Sequence, residues 1–155
     1  MQKRFTATAK HLFTACFALA ALIGANTASA GETPSSLEGA IIVDAAKAKS
    51  MMDSGAKMLD TRVANEFAEA HIKGAVSVPY KEKSAKSADF DASQDSFDLS
   101  KVPGDKNTAI ITQCNGPECW KSYKSAKALI KAGYKKIYWF RGGFPEWKAK
   151  GYPVE

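Results

Sequence analysis

The sequence predicts an α/β fold in which helices cover both faces of a central, mainly parallel, five-stranded sheet. The main observation is that short apolar segments typical of strands alternate along the chain with longer segments whose apolar residues recur at helical spacing. The segment 81–106 interrupts this pattern, because it is rich in Lys, Asp and Ser and its apolar residues are scattered. We expect it to form a long surface connection with about one helical turn and solvated charges.

Five segments are predicted to be strands because each is short and apolar and ends at polar or turn-forming residues. The fourth is the most apolar and is therefore expected at the centre of the sheet. In chain order the predicted strands are Ala40–Val43, Lys57–Asp60, Gly74–Pro79, Thr108–Thr112 and Lys136–Phe140.

Four segments are predicted to be helices. Three of them are followed by a glycine, the residue most common at helix C-terminal ends. The third carries its buried stripe at Tyr123, Ala126, Leu129 and Ile130. In chain order the predicted helices are Asp44–Ser54, Ala64–Ala70, Trp120–Ala132 and Phe144–Lys150.

The first thirty residues have the pattern of a secretory signal peptide. Lys3, Arg4 and Lys10 form a basic start, Leu12–Gly24 is apolar and uncharged, and small residues at 28–30 form a cleavage site. The apolar segment is shorter than the roughly 20 residues that a membrane span needs. We therefore expect export, most simply to a bacterial periplasm, with no stable membrane anchor after cleavage.

Cleavage would leave residues 31–38 as a flexible leader and residues 39–155 as one domain. It removes three basic residues and no acidic ones, so the net charge falls from +6 to +3. The interleaved basic and aromatic residues of a nucleic-acid binder are absent, and no nucleic-acid partner is expected. Cys114, Cys119 and His71 are too few ligands for a zinc site, so no metal or cofactor is predicted.

The most informative position is Cys114, which follows the fourth predicted strand and precedes the helix that begins at Trp120. Helix N-termini carry unpaired N–H groups and a partial positive charge, and both favour a thiolate. Because the carboxyl ends of parallel strands meet at one edge of a sheet, Asp60, Arg62 and Arg141 are expected near Cys114. They are candidates for contacting a substrate or supporting the site.

Two longer motifs and the helix between them show a family resemblance. Leu59–Tyr80, LDTRVANEFAEAHIKGAVSVPY, and Trp139–Val154, WFRGGFPEWKAKGYPV, resemble the first and closing signatures of single-domain rhodaneses, which are sulfurtransferases, and Ser122–Gly133 has the family's helix spacing. The resemblance implies a rhodanese-like fold and a catalytic cysteine at Cys114. Such a cysteine takes sulfane sulfur from thiosulfate, a polysulfide or a persulfide, holds it as a persulfide, and passes it to a small thiophile or a thiol-bearing acceptor protein.

The resemblance also implies an active-site loop between Cys114 and the next basic residue, Lys121. This span of eight residues is longer than the usual rhodanese loop and the loop of the related phosphatases. A phosphatase would need an arginine fork to hold the phosphoryl group, and a lysine has none, so that activity is not favoured. After Cys114 the loop residues are Asn115, Gly116, Pro117, Glu118, Cys119, Trp120 and Lys121.

The second cysteine of the loop leaves alternatives open. Cys119 either forms a reversible disulfide with Cys114 as a resolving thiol or only shapes the loop. The first reading supports a second hypothesis, a thiol–disulfide redox protein that uses both cysteines. A third hypothesis is a catalytically silent rhodanese-type module that presents the loop to a partner.

Several charged residues near the motifs have more than one interpretation. His71 is expected to be tied into a turn by hydrogen bonds rather than to act as an acid or base. Glu66, with Asp60 and Arg62, either lines the site or clasps the first motif to the active-site loop. A basic strip, expected to be solvated and to steer anionic donors weakly, is formed by Lys121, Lys124, Lys127 and Lys131.

Overall fold

The computed structural model describes residues 31–155, so the predicted signal peptide at 1–30 lies outside the described residues. A sheet of five strands, all parallel, forms its centre, in the spatial order β1-β5-β4-β2-β3. The predicted α/β class is therefore confirmed, and the fourth strand is central as expected. The strands are β1 (Ala40–Ile42), β2 (Lys57–Asp60), β3 (Val76–Ser77), β4 (Ile110–Gln113) and β5 (Ile137–Phe140).

Four helices connect or follow the strands close to the predicted positions. The side chain of Asp44 accepts a hydrogen bond from the Lys47 amide at 2.7 Å and so caps the first helix. Within residues 31–155 no helix has the length and apolar character that crossing a bilayer requires. The helices are α1 (Ala45–Asp53), α2 (Ala64–Glu69), α3 (Trp120–Lys131) and α4 (Gly143–Ala149).

The core has two main layers because successive strand residues point to opposite faces of the sheet. On one face Met58 and Ile111 pack with residues of α1 and α4. On the other face Leu59 and Ile110 pack with residues of α3, among them Leu129. Both faces of the sheet are thus buried, which fixes the register of the central strands and hence the position of the strand ends that carry the site.

The connection at 81–106 contains two short 3₁₀ turns, Ala92–Gln94 and Leu99–Lys101, and packs against α3. Lys124 of α3 is fully buried beneath it. The Lys124 ammonium donates to Ser84 Oγ at 2.8 Å, lies 2.9 Å from Glu82 Oε2, and lies 3.7 Å from Asp95 Oδ2. Most charged side chains of the connection are exposed, as predicted. Glu82 and Asp95 are exceptions, because they are largely buried as the partners that the Lys124 ammonium needs.

Asp95 is the centre of this polar cluster. Its carboxylate accepts hydrogen bonds from Tyr80 Oη at 2.8 Å, from Ser84 Oγ at 2.6 Å, and from the amides of Lys83 and Ser84 at 2.7 and 2.8 Å. Burial on its own would raise the pKa of Asp95, but these hydrogen bonds outweigh it and hold the pKa below its ordinary value. Desolvation and the bond to Asp95 in turn raise the pKa of Tyr80.

The prediction of a continuous basic strip on the surface of α3 is wrong. Lys124 is buried, and Lys127 donates to the carbonyl of Ala88 at 3.0 Å. Lys121, which is half-buried, and Lys131, which is exposed, donate no hydrogen bond to the connection, whereas Lys124 and Lys127 do. The connection covers the side of α3 that its sequence periodicity assigned to solvent.

Candidate active site

Cys114 comes directly after β4 and is 1% exposed. Its carbonyl accepts a hydrogen bond from the Phe144 amide at 2.8 Å. The preceding carbonyl, that of Gln113, accepts from both the amide and the hydroxyl of Thr61, at 3.1 and 2.8 Å. The backbone on either side of the cysteine is therefore held by the two neighbouring strand-end segments, as expected for the carboxyl edge of a parallel sheet.

The loop that follows turns back towards Cys114. Gly116 has a φ of +105°, and its carbonyl accepts a hydrogen bond from the Cys119 amide at 3.0 Å. The two cysteines are joined by a disulfide, with their Cα atoms 6.1 Å apart. Cys119 is also the N-cap residue of α3, and no side chain caps that end of the helix. The first-turn N–H groups of α3 thus have no side-chain acceptor and can bind an anion held at the loop.

The paired glycines at the start of α4 allow a close backbone contact with the active-site loop. Gly143 has a φ of +59°, and a Cβ atom placed on it would lie 2.1 Å from the Cys114 carbonyl oxygen. A side chain at Gly143 would push the Cys114 carbonyl away and break the hydrogen bond that this carbonyl accepts from the Phe144 amide. Glycine is required here both by the backbone conformation and by the lack of space.

We expect Gly143→Ala to lower the free energy of unfolding by about 1–3 kcal/mol, because it combines a left-handed conformation with a backbone clash. Gly104→Ala is the matched control, because its φ is not in the left-handed region and a Cβ there meets no atom within 4 Å. Urea unfolding of both variants measures the difference. Equal stability of the two would contradict this account of the paired glycines.

The leader packs against the active-site loop. Thr33 is buried, and its hydroxyl and amide both donate to the Pro117 carbonyl, at 2.7 and 2.9 Å. Arg141 donates to the Thr33 carbonyl at 2.7 Å and to Glu32 at 3.1 Å. Trp120 Nε1 donates to a leader carbonyl at 3.2 Å. The leader thus makes hydrogen bonds to the active-site loop and to Arg141 in this structure.

Arg141 was a candidate for contacting a substrate or for supporting the site. Its guanidinium binds the leader, with Nε 3.1 Å from Thr33 Oγ1. Thr33 in turn holds Pro117 of the active-site loop. Thr33 was not identified from the sequence, because an isolated threonine in a polar segment carries no signal of burial.

Asp60 and Arg62 form a buried ion pair at the end of β2. Arg62 Nη2 lies 2.6 Å from Asp60 Oδ2 and 2.8 Å from the Ala70 carbonyl. The guanidinium carbon lies 4.0 Å from the centre of the Phe144 ring, a cation–π contact. Since the amide of Phe144 holds the Cys114 carbonyl, this pair supports the backbone behind the site, and both its side chains are shielded from solvent.

Glu66 and His71 complete the contacts of the first motif. Glu66 Oε1 accepts a hydrogen bond from the side-chain amide of Asn115, so the clasp between this motif and the active-site loop is a hydrogen bond rather than an ion pair. His71 Nδ1 lies 2.9 Å from the Phe67 carbonyl, and the two rings stack at 3.7 Å. His71 is thus held in the turn, as expected.

A cleft of about 290 Å³ opens beside the loop. Cys119 is partly exposed and lines it, whereas Cys114 is not among its lining residues. Two lysines and two glutamates surround this opening, so its charges nearly balance. Among residues 31–155 no group of three or more His, Cys, Asp or Glu is placed to hold a metal ion. The lining residues are Glu82, Lys86, Asn115, Glu118, Cys119, Trp120 and Lys121.

Comparison with known proteins identifies the family to which the chain belongs. A family model described as a rhodanese-like domain matches residues 44–150. The chain belongs to the rhodanese-like family. Thiosulfate sulfurtransferase 18 of Arabidopsis thaliana is 30% identical over 125 residues, covering 76% of this chain and 85% of the relative. Protein HIGH ARSENIC CONTENT 1, mitochondrial, from the same plant, is 27% identical over 125 residues, covering 77% and 68%.

Solved structures agree with the rhodanese-like architecture. The BH2092 protein of Bacillus halodurans aligns with a TM-score of 0.58 at 23% identity, covering 75% of this chain and 77% of that chain. At this identity the likeness concerns the fold. In this fold Cys114 follows the carboxyl end of β4, and its disulfide partner Cys119 is the N-cap residue of α3.

Proposed function

We propose that this rhodanese-like chain is a sulfurtransferase whose nucleophile is Cys114. The observation that carries the proposal is the position of this cysteine, directly after the central strand and bonded to Cys119, the residue at the uncapped N-terminus of α3. Helix N–H groups lower the pKa of a nearby thiol and stabilise the thiolate that attacks sulfur. The sequence similarity to a thiosulfate sulfurtransferase supports the same reaction class.

The proposed reaction has two transfers. The Cys114 thiolate attacks the outer sulfur of a donor, and the bond between that sulfur and the rest of the donor breaks. The rest of the donor leaves as sulfite from thiosulfate, as a thiolate from a persulfide, or as a shortened polysulfide. The outer sulfur stays on Cys114 as a persulfide anion, and the uncapped N–H groups of α3 are placed to stabilise its charge. A thiophilic acceptor, either a small molecule or a thiol on another protein, then removes this sulfur and regenerates the thiolate.

The charges of the cleft bear on the choice of donor. Lys86 and Lys121 attract an anion, whereas Glu82 and Glu118 repel one. A dianion such as thiosulfate gains little binding energy at this cleft, because the positive and negative charges nearly cancel. A monoanionic polysulfide or persulfide is repelled by the glutamates less strongly than thiosulfate is. We propose sulfane-sulfur donors as a class, with thiosulfate, polysulfide and persulfide as its members.

The test is the intact mass of the fully reduced protein after brief exposure to thiosulfate or polysulfide. We expect a gain of one sulfur or, if that sulfur is then displaced, formation of the cysteine disulfide with release of one equivalent of sulfide. Thiocyanate formation with cyanide as acceptor measures turnover. If none of the donors yields bound sulfur, sulfide or thiocyanate, the chain is not a sulfurtransferase of this kind.

The disulfide between Cys114 and Cys119 favours a second candidate function, that of a thiol–disulfide redox protein. In that case the pair would exchange electrons with other thiols without handling sulfane sulfur. Redox titration of the two thiols, combined with the sulfur-uptake assay, distinguishes the two functions. Reversible pairing with no sulfur uptake would favour the redox protein.

We also propose that the chain is exported, because its first thirty residues have the pattern of a signal peptide. A periplasmic location would expose the cysteine pair to an oxidising environment. The N-terminal residue of the protein isolated from its natural host measures cleavage, and Gly31 is the residue expected there.

A further inference from the structure

The active-site loop holds two sulfur atoms that reach each other. Cys119 Sγ is bonded to Cys114 Sγ in a structure in which the flanking strand β4 and helix α3 are both formed. The loop backbone is fixed in this form by the Cys119–Gly116 hydrogen bond and by the two bonds from Thr33 to Pro117. A nucleophile on the same loop is therefore held beside the sulfur that is proposed to carry the persulfide.

We propose that Cys119 attacks the Cys114 persulfide within the loop and releases the outer sulfur of that persulfide as hydrosulfide. This inference rests on the proposed function, because it requires that Cys114 first accepts a sulfur. Cys119 Sγ attacks the inner sulfur, Cys114 Sγ, and the bond between Cys114 Sγ and the outer sulfur breaks. The Cys119 thiol loses its proton to the leaving sulfur, so a persulfide and a thiol become a disulfide and HS⁻.

This step needs no external oxidant or reductant, because electrons pass only from the two cysteine sulfurs to the outer sulfur. The outer sulfur is reduced from the sulfane to the sulfide state by two electrons, and the two cysteine sulfurs are oxidised to the disulfide. The disulfide in the structure is thus the product that the step would leave. An intramolecular thiol has an effective concentration far above that of free acceptors, so this route competes well with transfer to an external thiophile.

The exposure of the two cysteines indicates how the disulfide is reopened. Cys114 is 1% exposed, whereas Cys119 is partly exposed and lines the 290 Å³ cleft. An external thiolate therefore reaches Cys119 Sγ, forms a mixed disulfide there, and releases Cys114 as a thiolate.

A dithiol is the class of reductant that completes the cycle. Its first thiolate attacks Cys119, and its second thiolate then displaces Cys119 from the mixed disulfide, so that both cysteines of the loop become thiols again. In sum, the sulfane-sulfur donor is the oxidant, the dithiol supplies two electrons, and hydrosulfide is a product. With thiosulfate as donor, sulfite is the other product that leaves the site.

The experiment is a single turnover without added thiol. Fully reduced protein is freed of reductant under anaerobic conditions and mixed with one equivalent of thiosulfate or polysulfide, and both the intact mass and the free sulfide are measured. We expect the wild-type chain to release one equivalent of sulfide and to have the mass of the disulfide form. We expect Cys119→Ser to keep one added sulfur and to release sulfide at least about 100-fold more slowly until dithiothreitol is added.

The outcomes separate this inference from the function on which it rests. A wild-type chain that keeps the added sulfur beside a free Cys119 would overturn the inference and leave the sulfurtransferase proposal standing. Migration of the added sulfur to Cys119 would also overturn it. If neither wild type nor Cys119→Ser takes up sulfur or releases sulfide, both proposals fail. Cys119→Ala, which has no hydroxyl, is a second variant that should retain the sulfur like the serine variant.

A separate experiment identifies which cysteine of the disulfide an external thiol attacks. The disulfide form is treated with glutathione, a monothiol, and the mixed disulfide is located by peptide mass mapping. We expect it on Cys119, because that sulfur lines the cleft. A mixed disulfide found mainly on Cys114 would overturn the proposed route of reduction.

Discussion

Replacement of Cys114 by serine is expected to abolish sulfur uptake and to lower kcat/KM for any sulfane-sulfur donor by at least about 1,000-fold. The serine hydroxyl does not ionise near neutral pH, and an alkoxide does not form a stable bond to sulfane sulfur under these conditions. Among residues 31–155 no other cysteine follows the central strand directly, since Cys119 lies five residues further on, at the start of α3. The measurements are thiocyanate production and the intact mass after exposure to donor.

The matched control for this prediction is Cys119→Ser, which breaks the same disulfide and makes the same chemical change. Both variants lose whatever stability the disulfide contributes, and urea unfolding of each checks that it is folded before sulfur uptake is compared. Only Cys119→Ser should gain a sulfur atom. Uptake of sulfur by Cys114→Ser, or equal uptake by both variants, would show that Cys114 is not the nucleophile.

The sequence predicted the fold well because the sheet is buried on both faces. Buried parallel strands are short apolar segments, and the helices between them keep one apolar stripe, so both patterns are visible locally. Lys57–Asp60 is a strand with the predicted limits, whereas the third strand shrinks from six residues to Val76–Ser77. That strand lies at the sheet edge and pairs only with β2, so fewer of its residues are held in a ladder.

The position of Cys114 was predictable for a similar reason. A residue that follows a central parallel strand must lie at the carboxyl edge of the sheet, whatever the details of the loop. The contacts around it were less predictable. Arg141 and Thr33 meet through a segment whose sequence is polar and has no periodicity, so nothing local signals that the segment packs.

Lys124 shows where sequence periodicity fails. Helical spacing assigns it to the solvent side of α3, opposite the predicted stripe, and a lysine there is ordinarily exposed. In the structure the connection at 81–106 covers that side and brings Glu82 and Asp95 to the ammonium. Burial of this kind depends on a non-local packing choice, which the composition of the connection does not specify.

The buried cluster leads to the largest stability effect that we expect. Asp95→Ala should lower the free energy of unfolding by about 3–5 kcal/mol, because it leaves the fully buried Lys124 with one carboxylate and removes four hydrogen bonds. A domain of this size has a total stability of about 5–15 kcal/mol. Urea unfolding of the variant and of wild type, both in the disulfide form, measures the difference.

Two further variants test the cause of this loss. Asp89→Ala removes an exposed carboxylate from the same connection and should change stability by about 0.5 kcal/mol or less. Lys124→Met combined with Asp95→Ala and Glu82→Gln removes the buried ammonium together with both of its carboxylate partners, and should recover part of the loss. A triple variant less stable than Asp95→Ala alone would show that the loss of a partner for the Lys124 ammonium is not what destabilises the single variant.

The pH dependence of stability gives an independent check on Asp95. Its pKa is held below the ordinary value in the folded chain by the hydrogen bonds from Ser84, Lys83 and Tyr80, which outweigh the effect of burial. The unfolded chain, with an aspartate pKa of about 3.9, therefore takes up a proton first as the pH falls. The stabilisation is fully present above that pH and is lost progressively below it.

Accordingly, the stability difference between wild type and Asp95→Asn should be constant from about pH 5 to 7 and should shrink towards pH 3, as measured by urea unfolding at each pH. A difference that grows on acidification would mean that Asp95 is not stabilised as a carboxylate in the folded chain.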